Sequence, residues 1–340
     1  MSSGSSILHH GEYRSPYYKP ILGNGPSWAG RSTDAERPDG QVSGIVRRYK
    51  KTERACTETV TMGWVKACHH DAIEYTARGG TGMRGLMMIM GLFGCGISVF
   101  AVSMFGDSFA WGDWLFGLIT TVVFSLVGVV FVLKTFRSEL FCLEDEPTIF
   151  DRAQRKVYRI FREVQPGFLG LFKPWPVRIC AYDWDLLDCE HTATVTGTGS
   201  TVTRYHALVF IVRKSAKDPT IIDSFNIGHS YQLGEPTVPA VWEHIRRYME
   251  ENGPALPPGE TFAPSPRPQT LLQSLSAVGP FGSNYVQWWK DATGQMILGH
   301  LLFPVTIPFF LLWGMLNWLS YKTSVRVDWP VEIREAIGAA

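Results

Sequence analysis

Three long runs without a fixed charge constrain this chain more than any other feature. Gly85–Phe105 and Trp114–Leu133 hold no Asp, Glu, Lys or Arg in 21 and 20 positions, and Met296–Leu319 offers only His300 as an ionisable group in 24. A bilayer core takes roughly 20 apolar residues of helix to cross, so each run is long enough to span one. All the fixed charges lie in the other 275 positions, which are about 23% charged, an ordinary value for a soluble protein. The zero mean hydropathy therefore averages two different materials. The sequence describes a membrane protein with a sizeable soluble part.

Lys and Arg number 32 against 31 Asp and Glu, a balance that excludes an ordinary nucleic-acid binder, whose phosphate contacts need a basic surplus. Six scattered cysteines (56, 68, 95, 142, 180 and 189) show no CxxC spacing and suit a reducing compartment. Residues 1–30 lack the apolar core of a signal peptide.

Composition divides the chain further. Residues 1–42, rich in Pro, Ser and Gly, read as a disordered tail. Residues 43–84 form a basic juxtamembrane segment through Arg47, Arg48, Lys50, Lys51 and Arg54. Residues 85–133 form a transmembrane hairpin. Its eight-residue connection has Asp107 and Asp113 but no Lys or Arg, whereas Arg78, Arg84, Lys134 and Arg137 flank it outside. The positive-inside rule then puts the connection outside and both flanks in the cytoplasm, with Trp111 and Trp114 at the interface. Gly94, Ser98 and Ala101 fall on one face of the first span, where small side chains let a second helix approach. That helix is either the second span, the preferred partner, or a second copy of the chain.

Residues 138–252 read as a β-rich domain. One hairpin pairs Thr148–Phe150 with Val157–Phe161, and a second turns at Gly197–Ser200. Ala207–Val212 and Thr220–Phe225 supply further strands. Val238, Val241, Trp242, Ile245 and Met249 then recur at helical spacing, with Thr237 as N-cap and Gly253-Pro254 as the stop. Strands followed by one amphipathic helix give the order of a pleckstrin-homology-like barrel. Residues 253–295 make a proline-rich linker and interfacial segment, 296–319 a third span kinked at Pro304 and Pro308, and 320–340 a tail. With 134–295 in the cytoplasm, a full third span would send Lys322, Arg326 and Arg334 to the other side. The expected fold is thus an α+β membrane protein.

Catalytic motifs are weak. Gly197–Thr201 (GTGST) lacks the lysine and following helix of a phosphate loop, and Asp223–His229 has no nucleophile elbow. Cys68, His69, His70 and Asp71 are adjacent rather than spaced as metal ligands, and Asp183, Asp185 and Asp188 lack the rest of a calcium loop. No cofactor or metal is expected. His300 is a candidate intramembrane polar site, although no span supplies a carboxylate partner. The run Arg152, Arg155, Lys156, Arg159 and Arg162 is either a solvated edge or a contact for anionic lipid or an acidic protein. Strand alternation sets Arg159 opposite Arg162, leaving Arg152, Arg155, Lys156 and Arg162 as the contact candidates.

A short hairpin, then FDRAQRKVYRIF, DSFNIGHSY and the helix WEHIRRYMEENG resembles an uncharacterised family of proteobacterial membrane proteins defined by a domain of unknown function, over roughly residues 80–260. The resemblance carries no catalytic residues over, and implies an accessory or immunity role beside secreted toxins. From the residues, the leading expectation is a multipass protein of the bacterial inner membrane that presents a cytoplasmic, non-catalytic binding or scaffold domain. Its expected partners are membrane lipids and an unidentified protein. An immunity or accessory factor acting within the membrane is the alternative, and a membrane-bound enzyme the second.

Overall fold

The computed structural model describes residues 21–22, 44–76, 84–110, 114–165, 167, 169–198, 201–228, 233–263, 270–278, 285–326 and 328–339. The tail 1–42 (apart from 21–22), the turn Gly197–Ser200 beyond Thr198, and His229 lie outside them.

The soluble part is two sheets and a helix. The first sheet runs in the order β1 (Ile21–Leu22), β7 (Val177–Asp183), β6 (Lys156–Arg162), β5 (Thr148–Asp151), β4 (Ala72–Tyr75), β3 (Val65–Cys68). The second runs β10 (Ile221–Ile227), β9 (Thr201–Arg213), β8 (Leu187–Thr198), β2 (Ile45–Tyr49). Apart from the parallel β1–β7 pair, neighbouring strands are antiparallel. Residues 43–84 are thus no mere juxtamembrane stretch. Ile73 registers with Phe150, and Tyr49 with Cys189, so both sheets draw strands from before the apolar helices. Two-residue alternation alone does not reveal these strands, because all four residues of β4 are buried on both faces.

Between the sheets lies an aromatic core. Trp184 and Trp242 stack at 6.0 Å, Tyr49 stacks on Trp242 at 5.9 Å, and Phe210 stacks on Phe225 at 5.3 Å. Helix α3 (Thr237–Glu250) closes this core with Trp242 and Ile245, both fully buried. Pro236, not Thr237, occupies the N-cap position, and the Thr237 hydroxyl bonds back to the Gly234 carbonyl at 2.9 Å. At the other end Asn252 takes the left-handed conformation (φ 51°), and the Gly253 N–H returns to the Arg247 carbonyl.

Among the described residues three helices are long and apolar enough to cross a membrane: α1 (Leu86–Ala110), α2 (Trp114–Glu139) and α6 (Thr293–Thr323). Phe93, Val99, Phe116, Leu301 and Val305 on them are each more than 60% exposed, a surface suited to lipid rather than water. Helix α6 continues through both prolines. Leu275 of the short α4 (Leu271–Val278) lies on Gly314 of α6, and α5 (Tyr285–Asp291) precedes the α6 start.

Beyond α6 the chain returns to the domain. Val325 bonds to Cys142 and Glu144, and Ile333 and Ile337, from α7 (Val331–Ala336) and just after it, cover Ala72, Ile149, Tyr158 and Ile179 on the outer face of the first sheet. Residues 320–339 therefore sit with the domain instead of across a membrane from it.

Candidate functional site

Two polar constellations stand out against this apolar framework. The first is the seam where the long helices meet the domain. Arg84 donates from Nη2 to the Leu143 carbonyl (2.6 Å) and lies 4.4 Å over the Tyr321 ring. Asn317 and Trp313 of α6 both donate to the Arg84 carbonyl, at 3.0 and 3.1 Å. Glu139 of α2 receives the Gly85 N–H at 3.2 Å, and its backbone carbonyl accepts the Ser320 hydroxyl at 3.0 Å. Arg84, Glu139, Asn317 and Ser320 are all buried. Gly85 holds φ at 84°, and a Cβ there would meet the Asn317 backbone at 2.6 Å, so the close approach of α6 to the start of α1 requires glycine.

The second is an open cleft of about 370 Å³ lined by Glu146, Thr148, Arg159, Ser224, Phe225 and Asn226. It sits where β5 and β6 face β10, and β10 has no strand on its other side among the described residues. Alternation along β10 points Asp223, Phe225 and Ile227 inward and leaves Ser224 and Asn226 exposed. Arg159 reaches from β6 to Asp223 (3.1 Å) and packs over Phe161 and Phe225 at 4.4 and 4.9 Å. Asp223 also accepts the Tyr182 hydroxyl at 2.5 Å and the Ser224 N–H at 2.8 Å. Burial raises the Asp223 carboxyl above its ordinary range, even with Arg159, Tyr182 and Ser224 drawing it down. The same burial, with Asp223 adjacent, raises the Tyr182 phenol. The cluster has the chemistry of a fixed, polar binding wall.

The basic candidates do not act as a set. Arg152 pairs with Asp71 (2.9 Å) and lies over Tyr248. Arg155 bridges Asp185 (2.6 Å) and Glu250 (3.1 Å). Arg162 donates to the Arg137 carbonyl and covers Trp175. Lys156 and Arg162 are at opposite ends of β6, about 20 Å apart at 3.3 Å per residue. Intradomain partners engage Arg152 and Arg155, which sequence spacing alone could not reveal.

Gly94, Ser98 and Ala101 face α2. A Cβ on Gly94 would meet the Gly128 carbonyl at 3.0 Å, Ser98 Oγ reaches the Ser125 carbonyl at 3.4 Å, and Thr121 donates to the Ala101 carbonyl. His300 lies near the start of α6, with Nδ1 2.7 Å from the Met296 carbonyl and Nε2 3.1 Å from the Tyr285 hydroxyl, beside Trp289. Cys68–Asp71 form a turn whose His70 and Asp71 pair with each other, and no group of residues fit to hold a metal occurs among the described residues.

The sequence reading sets Arg159 apart from the contact candidates, weighs Asp223 only in a catalytic motif and Arg84 only as a flanking cation, and does not single out Glu139 or Asn317. Asn317 left a signal, as an amide inside an apolar run. Asp223 left none, because its partner lies 64 positions away.

No curated protein and no solved structure matches the chain. Residues 125–339, more than half of it and including the cleft, α6 and α7, match the model of a family of unknown function, DUF6708, and the chain belongs to that family.

Proposed function

We propose that this is a multipass inner-membrane protein whose two-sheet domain faces the cytoplasm as a non-catalytic binding platform. The cleft beside β10 takes an extended segment of a protein partner. The observation that carries this reading is that β10 is an edge strand among the described residues, next to a cleft lined by the cation of Arg159. An edge strand offers main-chain donors and acceptors, and a neighbouring pocket can select alternate side chains of an added strand. Two sheets closed by a C-terminal helix also support reading the domain as pleckstrin-homology-like.

The orientation rests on charge. Arg84, Lys134, Arg137 and Lys322 cluster at the domain ends of the long helices, whereas Asp107, in the last turn of α1, and Asp113, just before α2, are the charges at the opposite end of the hairpin. The chain leaves the domain at Ala263, bonded to Val65, and rejoins it at Val325. An even number of crossings lies between those points. α6 supplies one, and the other falls before it, where α4 lies against Gly314 toward the domain end of α6 and α5 against His300 near its start. This accounts for Lys322 and Arg334 on the domain's side.

Photo-crosslinking from position 226 in the full chain tests the docking site. A discrete adduct from 226, absent from a probe at Ala153, is expected; no adduct, or equal adducts at both, overturns it. For orientation, Ser108→Cys should react with an external thiol reagent while the exposed Cys68 is protected. The reverse pattern overturns the cytoplasmic assignment.

A further inference from the structure

We propose that the loop between β6 and β7 is a second membrane contact, seating Val164, Leu169 and Phe172 in the lipid leaflet beside the end of α2. The inference rests on the reading of α1, α2 and α6 as membrane-crossing helices.

The three side chains are 52, 69 and 65% exposed, and Phe141, just past α2, is 58% exposed. Phe141 holds a left-handed backbone (φ 55°), a cost that the fold accepts while leaving a large aromatic ring outside. Water is a poor solvent for such a group of side chains; the apolar-to-polar boundary of a bilayer is a good one.

Residues 169–175 of the loop are also tied down by named contacts. Residues Leu169–Leu171 form a 3-10 turn, and Trp175 Nε1 donates to the Gly170 carbonyl at 2.9 Å. Trp175 is buried between two guanidinium groups, Arg162 at 4.4 Å and Arg137 at 5.0 Å from its ring. Arg137 also donates to the Lys173 carbonyl at 2.6 Å. These contacts bolt the loop to the last turn of α2, four residues beyond the end of its uncharged run at Leu133. That is the depth at which α2 leaves the hydrocarbon, so the loop is continuous with a lipid-facing surface. Apolar tips with Lys173 and Arg137 beside them match the acyl chains and phosphates of one leaflet.

The test uses the full chain with Cys56, Cys68 and Cys95 changed to Ser, reconstituted in phosphatidylcholine–phosphatidylglycerol vesicles. An environment-sensitive fluorophore is attached at Phe172→Cys, with Leu169→Cys as a second site. Leu126→Cys in α2 marks lipid, and Ala153→Cys, in the turn at the far end of β6 from Arg162, marks water. Nitroxide-labelled lipid should quench the labels at 172 and 169, and aqueous iodide should lose access to them. If 172 and 169 behave like 153 while 126 is lipid-quenched, the loop contact is overturned and the membrane reading stands. If they are shielded from iodide but untouched by nitroxide lipid, protein covers the loop and the proposal fails. If 126 itself is open to iodide, the membrane reading fails and the loop contact with it.

Discussion

The carboxylate of Glu139, carried by the last turn of α2, holds the backbone N–H of Gly85, the residue before α1, at 3.2 Å. An anion from α2 thus caps the positive end of the preceding helix, α1, the role a capping-box glutamate plays within a single helix. Ser320 of α6 approaches the same carboxylate at 3.3 Å. Glu139→Ala removes the shared acceptor and should destabilise the detergent-solubilised chain by roughly 1–3 kcal/mol. Glu139→Gln keeps an acceptor without the charge and should fall between. Thermal unfolding monitored by circular dichroism checks the order.

Trp242→Ala should cost about 3–5 kcal/mol, because the ring touches Tyr49, Trp184 and Phe210 in the central core. Those partners come from both sides of the apolar helices. Excised residues 138–252 lack β2, β3 and β4, so that fragment should show exposed apolar surface and no cooperative melting. A fusion restoring residues 44–76 should recover it. A cooperative melt of 138–252 alone would contradict the two-sheet core.

Acid should loosen the domain before it protonates most carboxylates. Burial holds both His191 and His244 below the ordinary histidine value of 6.5, and for His191 the neighbouring His206, 2.9 Å away, adds to the effect. The unfolded chain therefore binds these protons more readily than the folded one. Their contribution is complete above pH 6.5 and declines as pH falls through 6.5 toward the lower folded values, at up to ~1.4 kcal/mol per pH unit for each histidine. Denaturant unfolding between pH 8 and 5 measures the slope. His244→Gln should flatten it.

The contact between α1 and α2 leaves no room for side chains at its closest point. A Cβ on Gly128 would sit 2.5 Å from the Gly94 carbonyl and 2.1 Å from Ser98 Oγ, whereas one on Gly96 meets nothing within 4 Å. Gly128→Leu should cost about 1–3 kcal/mol of unfolding free energy in detergent. Gly96→Leu should be neutral or mildly stabilising, since glycine is a poor helix former.

The legible parts of the sequence were those governed by local pattern. Uncharged runs marked α1, α2 and α6 to within a few residues at most ends, and the spacing of Val238, Trp242 and Ile245 marked α3. Gly94, Ser98 and Ala101 were readable as a packing face because helix periodicity fixes a face. Strands β2, β3 and β4 were not legible, since they are short, β2 and β4 pair with strands beyond two apolar helices, and β3 pairs with β4. Separation along the chain likewise hid Arg159–Asp223 and the ion pairs of Arg152 with Asp71 and of Arg155 with Asp185 and Glu250. The family resemblance, seen over residues 80–260, stopped short of α6 and α7, which the family match reaches at residue 339. That final stretch has little pattern of its own, because Trp329, Ile333 and Ile337 have a place only on a sheet made elsewhere.

The return of α7 to the first sheet also orders the making of the protein. β3 and β4 leave the ribosome before α1, β5 to β7 follow α2, and the cover for Ala72, Ile149 and Ile179 comes only after α6 has been synthesised. Until then one face of that sheet is an apolar surface open to water, where domains assembled from distant segments are prone to misassociate. Completion of the soluble domain therefore waits for α6 and α7, whatever the state of its other strands.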